Sequence, residues 1–468
     1  MFKLIPYWIT MVVGVAILPN AVSQPIVKPV LTLNGVVEAT LKHYPSILSR
    51  EAQIHVGHAR VEDAKHAWLP SAYVTDQMTL GTDNSLNGSY FPMGIIPSAS
   101  GGRRAENKYG VAGGNIAAIT ASWEVYNFGA YDALTSEAIA SLHIDEAGLE
   151  KERFYLTSSA IQTYFDLVKY RYLLNIQQRN IERAQTIKTA VKAFADNGLK
   201  PGVDTSVADA ELSKARLVYL ELANAFALTR SQLSILTGLD TTSMTPDTTM
   251  NNKIQNFIVP LQTIDTGAMA QHPYVQFYKA ILEDNISQQN LIRKSYQPKI
   301  FLMGSSWLRG SSISASDVYD NDPLTGLLYS RANYLAGAAI TYDLFAPRKM
   351  KYKLDLQKYR TEVARANVEE QKAMVNSIQS QAGINMQTAV NRLQEIPRQA
   401  KAANDAYQQK LALYNAGLAN IVDLTNALYL LNRAETDTVQ ANDAAWKAVI
   451  QKAFADNQVN QFISLLSR

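Results

Sequence analysis

The sequence predicts a mainly α-helical fold with a smaller β component, in which long antiparallel coiled-coil helices carry two pairs of β-strands. Three observations predict it. The chain repeats itself. Two spans of 69 residues, 129–197 and 348–416, carry helical patterning with almost no interior Gly or Pro. Each span follows a segment where Gly, Ser, Thr, Asn and Tyr displace the helix-forming residues. With 47% hydrophobic and 18% charged residues, the chain is composed as a folded protein and not as a disordered one. The net charge of +3 brings neither the excess nor the basic cluster of a nucleic-acid binder, so no nucleic-acid partner is expected. The absence of cysteine excludes disulfides, thiolate metal sites, a cysteine nucleophile and a lipid-anchoring Cys.

Residues 1–23 read as an address. Lys3 precedes an apolar run from Leu4 to Leu18, and small residues flank a cut after Ser23, the layout of a secretory signal peptide. No later stretch offers 18 consecutive apolar residues. Any membrane crossing by the mature chain therefore has to use a closed β-barrel.

The duplication sets the domain organisation. His43-Tyr44-Pro45 aligns with Gln271-His272-Pro273, and the same offset of 228 pairs Ala52 with Ala280, Trp68 with Tyr296 and Pro70 with Pro298. Further along, an offset of 219 pairs Gly198-Leu199 with Gly417-Leu418, Val203-Asp204 with Val422-Asp423 and Leu212 with Leu431. The expected organisation is a first repeat over 24–240, a linker over 241–265 rich in Thr, Asn and Pro, and a second repeat over 266–468.

Each repeat has the same order of elements. In the first, a helix over 35–68 stops at Pro70. Two strands within 71–124 flank a polar loop, and a long helix runs over 129–197. A second helix follows over 203–236. In the second repeat the equivalents are 266–296, 299–343, 348–416 and 420–455, with a polar tail. The two short helices of each repeat sum to nearly the length of the long one, about 100 Å at helical rise. Val375, Ile378, Ala382, Met386, Ala389, Leu393, Ile396, Ala400, Ala403, Tyr407, Leu411 and Tyr414 recur every 3.5 residues or so, the coiled-coil period. Pro397 interrupts the series and is expected to kink the helix or break its ladder. In the last strand Tyr334, Ala336, Ala338, Ile340 and Tyr342 share one face. The two tyrosines are about 26 Å apart at strand rise, as far apart as the aromatic girdles of a membrane barrel.

The organisation and the two turns Gly198-Leu199-Lys200-Pro201-Gly202-Val203-Asp204 and Gly417-Leu418-Ala419-Asn420-Ile421-Val422-Asp423 resemble the TolC family of outer-membrane channels over essentially the whole mature chain. The resemblance implies a homotrimer in the outer membrane of a Gram-negative cell. Three protomers with four transmembrane strands each complete a 12-stranded barrel, and their helices form an α-barrel extending into the periplasm. It also implies a periplasmic adaptor (membrane fusion protein) and an inner-membrane transporter or ABC exporter as partners, serving multidrug efflux or type I protein secretion. The turn tips Gly198, Leu199, Gly417 and Leu418 would contact the adaptor. Asp204 and Asp423 match acids that line the family's aperture, while a third family acid corresponds to Asn426 and the family's basic partner to Ala419, which cannot pair. The bare sequence offers a plainer role for the two aspartates, as helix N-caps.

Rival readings are a periplasmic coiled-coil adaptor and a secreted enzyme. The first does not account for two strand pairs, and the second lacks a Walker loop, a GxSxG elbow, an HExxH pair and a dinucleotide fingerprint. No catalytic residue and no cofactor are expected. Glu51, His55, His58, Glu62 and His66 form one helical stripe that could bind a divalent metal, but the counterpart stripe Lys279, Glu283, Ile286, Asn290 and Lys294 cannot, and a solvated face is expected. Gly110 to Gly114 lies in a strand, so a phosphate cradle is not expected either.

Overall fold

The computed structural model describes residues 30–84, 106–240, 245–247, 254, 271–314, 316, 318–320 and 322–466. The leader at 1–23, the centre of the first polar loop and most of the linker lie outside the described residues.

The first repeat opens with a short strand, β1 (Val30–Leu31), and helix α1 (Leu33–His43), capped by Thr32, whose hydroxyl accepts the Gly35 N–H at 3.3 Å. Helix α2 (Pro45–His66) follows. The single helix expected over 35–68 is thus broken at Tyr44, which is extended at φ −71°, ψ 126°. Pro45 has no N–H to give the preceding turn, and its ring forces Tyr44 out of the helical region. The same dipeptide logic places His272 at φ −64°, ψ 130° before Pro273 in the second repeat.

Beyond α2 the chain forms β2 (Ser71–Gly81), β3 (Ala112–Tyr126), the long helix α3 (Ala130–Asp196) and α4 (Gly202–Thr237). The linker contributes β4 (Thr245–Pro246), which pairs with β1 in parallel. The second repeat supplies α5 (Pro273–Ser295), β5 (Lys299–Ser311), β6 (Arg331–Thr341), the long helix α6 (Ala346–Asn415) and α7 (Ile421–Ala455). The chain closes with α8 (Val459–Leu466), where a polar tail was expected. Val459 and Phe462 are buried there, against a central cluster holding Val36, Ile161, Phe165, Trp446 and Val449. That cluster joins the two repeats midway along the long helices.

The helices lie side by side in one layer. Near the sheet α3 packs between α2 and α5, and α6 packs on α5; away from the sheet α3 packs between α4 and α7, and α6 packs on α7. The coiled-coil seam of α6 is as its spacing foretells. Val375, Ala382, Met386, Ala389, Tyr407 and Tyr414 are buried, while Ile378 is exposed. The helix runs unbroken through Pro397, so the neighbouring helices hold the ladder together where proline removes one bond. No helix among the described residues is long and apolar enough to cross a membrane.

All four long strands form one antiparallel sheet in the order β2-β3-β5-β6. Each repeat's hairpin therefore joins the other through β3 and β5. Among the described residues the outward edges of β2 and β6 carry no partner strand.

Candidate functional site

Two regions carry chemistry: the sheet at one end of the helices and the paired helix turns at the other. In the sheet, register puts Tyr73, Thr120, Ser305 and Leu335 in one row, and Val74, Ile119, Ser306 and Tyr334 in the next. Alternation then sorts the faces. The first face is mixed, holding Thr75, Gln77, Ser122, Arg309, Arg331 and Asn333 beside Ile116, Met303 and Trp307. The second holds Met78, Leu80, Leu302, Leu308, Ala336 and Ile340, with Asp76, Asn115 and Ser306 the polar members. On this apolar face Val74 is 81% exposed, Tyr334 89% and Ile340 73%, a patch that water does not favour. The first face carries a mostly apolar cleft of about 460 Å³ lined by Tyr73, Thr120, Met303, Ser305, Leu335 and Gly337.

The dimensions match. The 11 residues of β2 and of β6 extend about 36 Å, or about 25 Å along the normal when tilted by about 45°, the height of a lipid-facing band. Aromatic rings gather at the foot of the sheet: Trp68 and Trp123 lie 6.2 Å apart, with the Trp123 indole N–H donating to the Trp68 carbonyl at 2.8 Å. Tyr342 stands just beyond β6, and Tyr334 lies on the apolar face within it. At the far rim the glycines have a steric reason. A Cβ on Gly113 would sit 1.8 Å from the Pro323 carbonyl oxygen, so glycine lets the loop between β5 and β6 dock on the sheet.

At the other end each long helix stops in the same way. Gly198 (φ 68°) and Gly417 (φ 79°) adopt the left-handed conformation that glycine takes without strain. The Leu199 N–H donates to the Phe194 carbonyl and the Leu418 N–H to the Leu413 carbonyl, both at 2.9 Å. These bonds reverse the chain, and they leave both leucine side chains exposed.

The aspartates are not the caps. Pro201 occupies the cap position of α4 and Asn420 that of α7. The Asn420 side chain accepts the Asp423 N–H at 2.8 Å. Asp204 and Asp423 sit three residues inside, in the first turn, where the helix dipole favours an anion. Both are partly exposed, and Asn426 is exposed. Asp423 is held by Lys410 across the hairpin, Nζ to Oδ2 3.3 Å. In place of the missing base at Ala419, Lys200 from the first turn reaches over, donating to the Ala419 carbonyl at 3.5 Å with its ammonium 5.3 Å from the Tyr414 ring. Burial, and then the charge of Asp204, push the Tyr414 hydroxyl up. The two turns are thus one tip, over a shared core of Ile187, Val191, Leu212, Tyr414 and Leu424.

Behind the tip, Arg183 on α3 and Glu435 on α7 form a two-pronged pair at 2.8 Å for each bond, and that carboxylate holds the guanidinium charged. Lys188 pairs with Asp209. Sequence reading passes over Lys188, Lys200, Lys410 and Arg183, although a signal exists. Lys188 and Asp209, and Lys410 and Asp423, are equidistant from Gly198 and Gly417 to within a residue, as partners across an antiparallel hairpin must be. Among the described residues no group of three His, Cys, Asp or Glu could hold a metal ion.

Comparison with known proteins adds to this geometry. The family model for outer membrane efflux proteins matches residues 36–239 and 268–453. No curated protein matches the sequence. Among solved structures, the chain is similar to the Campylobacter jejuni CmeC outer membrane channel, with a TM-score of 0.73 and 16% identity over 93% of this chain and 89% of that one. The outer-membrane channel OprN gives 0.72 and 17%, covering 91% and 90%. The outer membrane protein VceC from Vibrio cholerae gives 0.71 and 15%, covering 91% and 95%.

Proposed function

This chain belongs to the outer membrane efflux protein family, placed in the outer membrane and reaching into the periplasm, and we propose that it works as a homotrimeric, passive exit duct. One observation carries the reading. The sheet exposes a largely apolar outer face and, among the described residues, ends in two unpaired edges. Four strands cannot close on themselves, and open edges are not tolerated in lipid. The β6 edge of one copy meeting the β2 edge of the next closes the barrel with three copies and 12 strands. The helix layer also exposes apolar stripes at its edges, one near the sheet and one nearer the tip. Tyr352, Leu356, Tyr359 and Val363 expose a stripe on α6, and Leu217, Leu220 and Leu228 one on α4.

The duct supplies no energy. A periplasmic adaptor grips the exposed tips at Gly198, Leu199, Gly417 and Leu418, and an inner-membrane transporter loads the cargo, drugs in efflux or a polypeptide in type I secretion. Asp204 and Asp423 from three copies place six carboxylates around the mouth, and Asn426 adds a neutral polar rim. Such a ring favours cations. The Lys410 contact restrains Asp423 within its own hairpin, so the closed state relies on the Lys200 bridge and the Arg183–Glu435 clamp in place of an arginine at Ala419.

Planar-bilayer recording of the purified trimer tests this. Replacing Asp204 and Asp423 together with Ala is expected to raise conductance and weaken block by divalent cations. Unchanged conductance and unchanged block remove both residues from the aperture.

A further inference from the structure

Sequence reading passes over one basic run, Arg348-Lys349-Met350-Lys351-Tyr352-Lys353, which the structure places at the foot of the second hairpin. Where β6 ends, four residues lead into α6, and the first two turns of that helix carry Arg348, Lys349, Lys351 and Lys353. All four are exposed. Lys349 is held by Asp343 at 2.6 Å, and the Lys353 ammonium lies 5.7 Å from the ring centre of Tyr296. Arg293 and Lys294 end the neighbouring helix α5. In the connection itself Leu344 is 83% exposed and Phe345 71%. Apolar side chains thus project beside long cationic ones at the level where the strands' apolar face gives way to helix.

Helix stability does not explain these cations. The N-terminal turn of a helix disfavours positive charge, and α6 has no acid in its first turn. The first repeat is an internal control. At the repeat offset of 219 the same four positions are Gly129, Ala130, Asp132 and Leu134, and the first turn of α3 carries an acid, the ordinary preference. The two repeats share a fold but not this charge, so the fold does not require it.

We propose that Arg348, Lys351 and Lys353, with Leu344 and Phe345, form a site for the headgroup of an anionic phospholipid in the periplasmic leaflet of the outer membrane. Phosphate and glycerol oxygens accept from the guanidinium and ammonium groups, and the exposed Leu344 and Phe345 enter the acyl region behind them. Lys and Arg side chains are long enough to hold their stems along apolar surface while their charges stay at headgroup level. Clusters of this size beside a membrane segment favour anionic lipid, each charge adding a factor of about five in partition. A trimer carries three such sites, alternating with three feet that lack these cations.

The inference rests on the sheet's apolar face meeting lipid. The test incubates the purified full chain in detergent with equimolar phosphatidylglycerol and phosphatidylethanolamine and counts the lipid retained after gel filtration. Wild type is expected to retain the anionic lipid over the zwitterionic one by about fivefold or more. Arg348→Gln/Lys351→Gln/Lys353→Gln is expected to lose that preference, and the charge-keeping Arg348→Lys/Lys351→Arg/Lys353→Arg to keep it. Equal retention of both lipids by wild type overturns the site alone, and so does an unchanged preference in the Gln variant. Retention of neither lipid overturns the lipid-facing sheet as well. Should the Gln variant fail to assemble, loss of preference in the charge-keeping variant still contradicts the proposal.

Discussion

Asp284 gives the sharpest energetic prediction outside the sheet. It sits on α5 and is only 7% exposed. Its Oδ2 accepts from the Gln288 amide at 2.8 Å, but its Oδ1 has no partner. The nearby Arg60 donates to the Ser141 hydroxyl at 2.7 Å. Burial, reinforced by the charge of Glu137, pushes the Asp284 carboxyl up from 3.8 to about 6. The sign follows from linkage. Below pH 3.8 the group is protonated in both states and costs nothing. As pH rises the unfolded chain ionises first, so stability is lost from about pH 3.8 to about pH 6 and the loss is complete above that. At about 1.36 kcal/mol per unit, the burden is about 3 kcal/mol per protomer at pH 7.5 and about half that at pH 5. Asp284→Asn removes the charge and can keep the Gln288 contact. Thermal unfolding of the detergent-solubilised protein is therefore expected to show a higher Tm for the variant at pH 7.5. The gain shrinks by the equivalent of about 1.5 kcal/mol at pH 5. A gain independent of pH, or a loss of stability at pH 7.5, refutes the reasoning.

Two further substitutions test the ends of the molecule. Gly417→Ala adds a methyl group in open space but forces a side chain onto φ 79°. It should cost about 1 kcal/mol, whereas Gly383→Ala, inside α6 and also in open space, should gain about 0.5–1 kcal/mol; denaturation midpoints compare the pair directly. Ala336→Arg, in the middle of β6 on the apolar face, should lower barrel stability by about 2–4 kcal/mol, while Leu335→Arg on the opposite face should alter single-channel conductance and leave stability nearly unchanged. Equal destabilisation by the two would contradict the assignment of faces.

Much of this was legible in residue spacing. The reach of α3 and α6 follows from the near-absence of Gly and Pro over 129–197 and 348–416 and from Gly198 and Gly417, which end the helices by backbone geometry alone. Strand pairs were legible as changes in composition. The break at Tyr44 was written in Pro45 but masked by helical patterning on either side. Asp204 and Asp423 look like caps, yet the cap falls three residues earlier, since Asn420 can take the Asp423 N–H and Pro201 needs no donor partner. The β1–β4 pairing is two residues long and has no periodicity to read. Helix α8 was hidden because its length gives little more than two turns of pattern, and burial of Phe462 depends on a surface built from distant segments. The basic foot of α6 is legible as the run from Arg348 to Lys353 but is lost in the near-neutral overall charge, and its place beside the apolar face shows only where strand ends and helix begins.

Trimer closure through the sheet edges is the claim on which the rest depends. The chain has no native cysteine, so pairs placed along β2 and β6, such as Thr75→Cys with Asn333→Cys and its neighbours in register, report on those edges alone. Within one copy the edges are three strand spacings apart, about 14 Å, beyond disulfide reach. Oxidation in outer-membrane fractions should yield covalent dimers and trimers and nothing larger. A ladder continuing past the trimer, or a chain that stays monomeric at every register, would contradict the closed three-copy barrel.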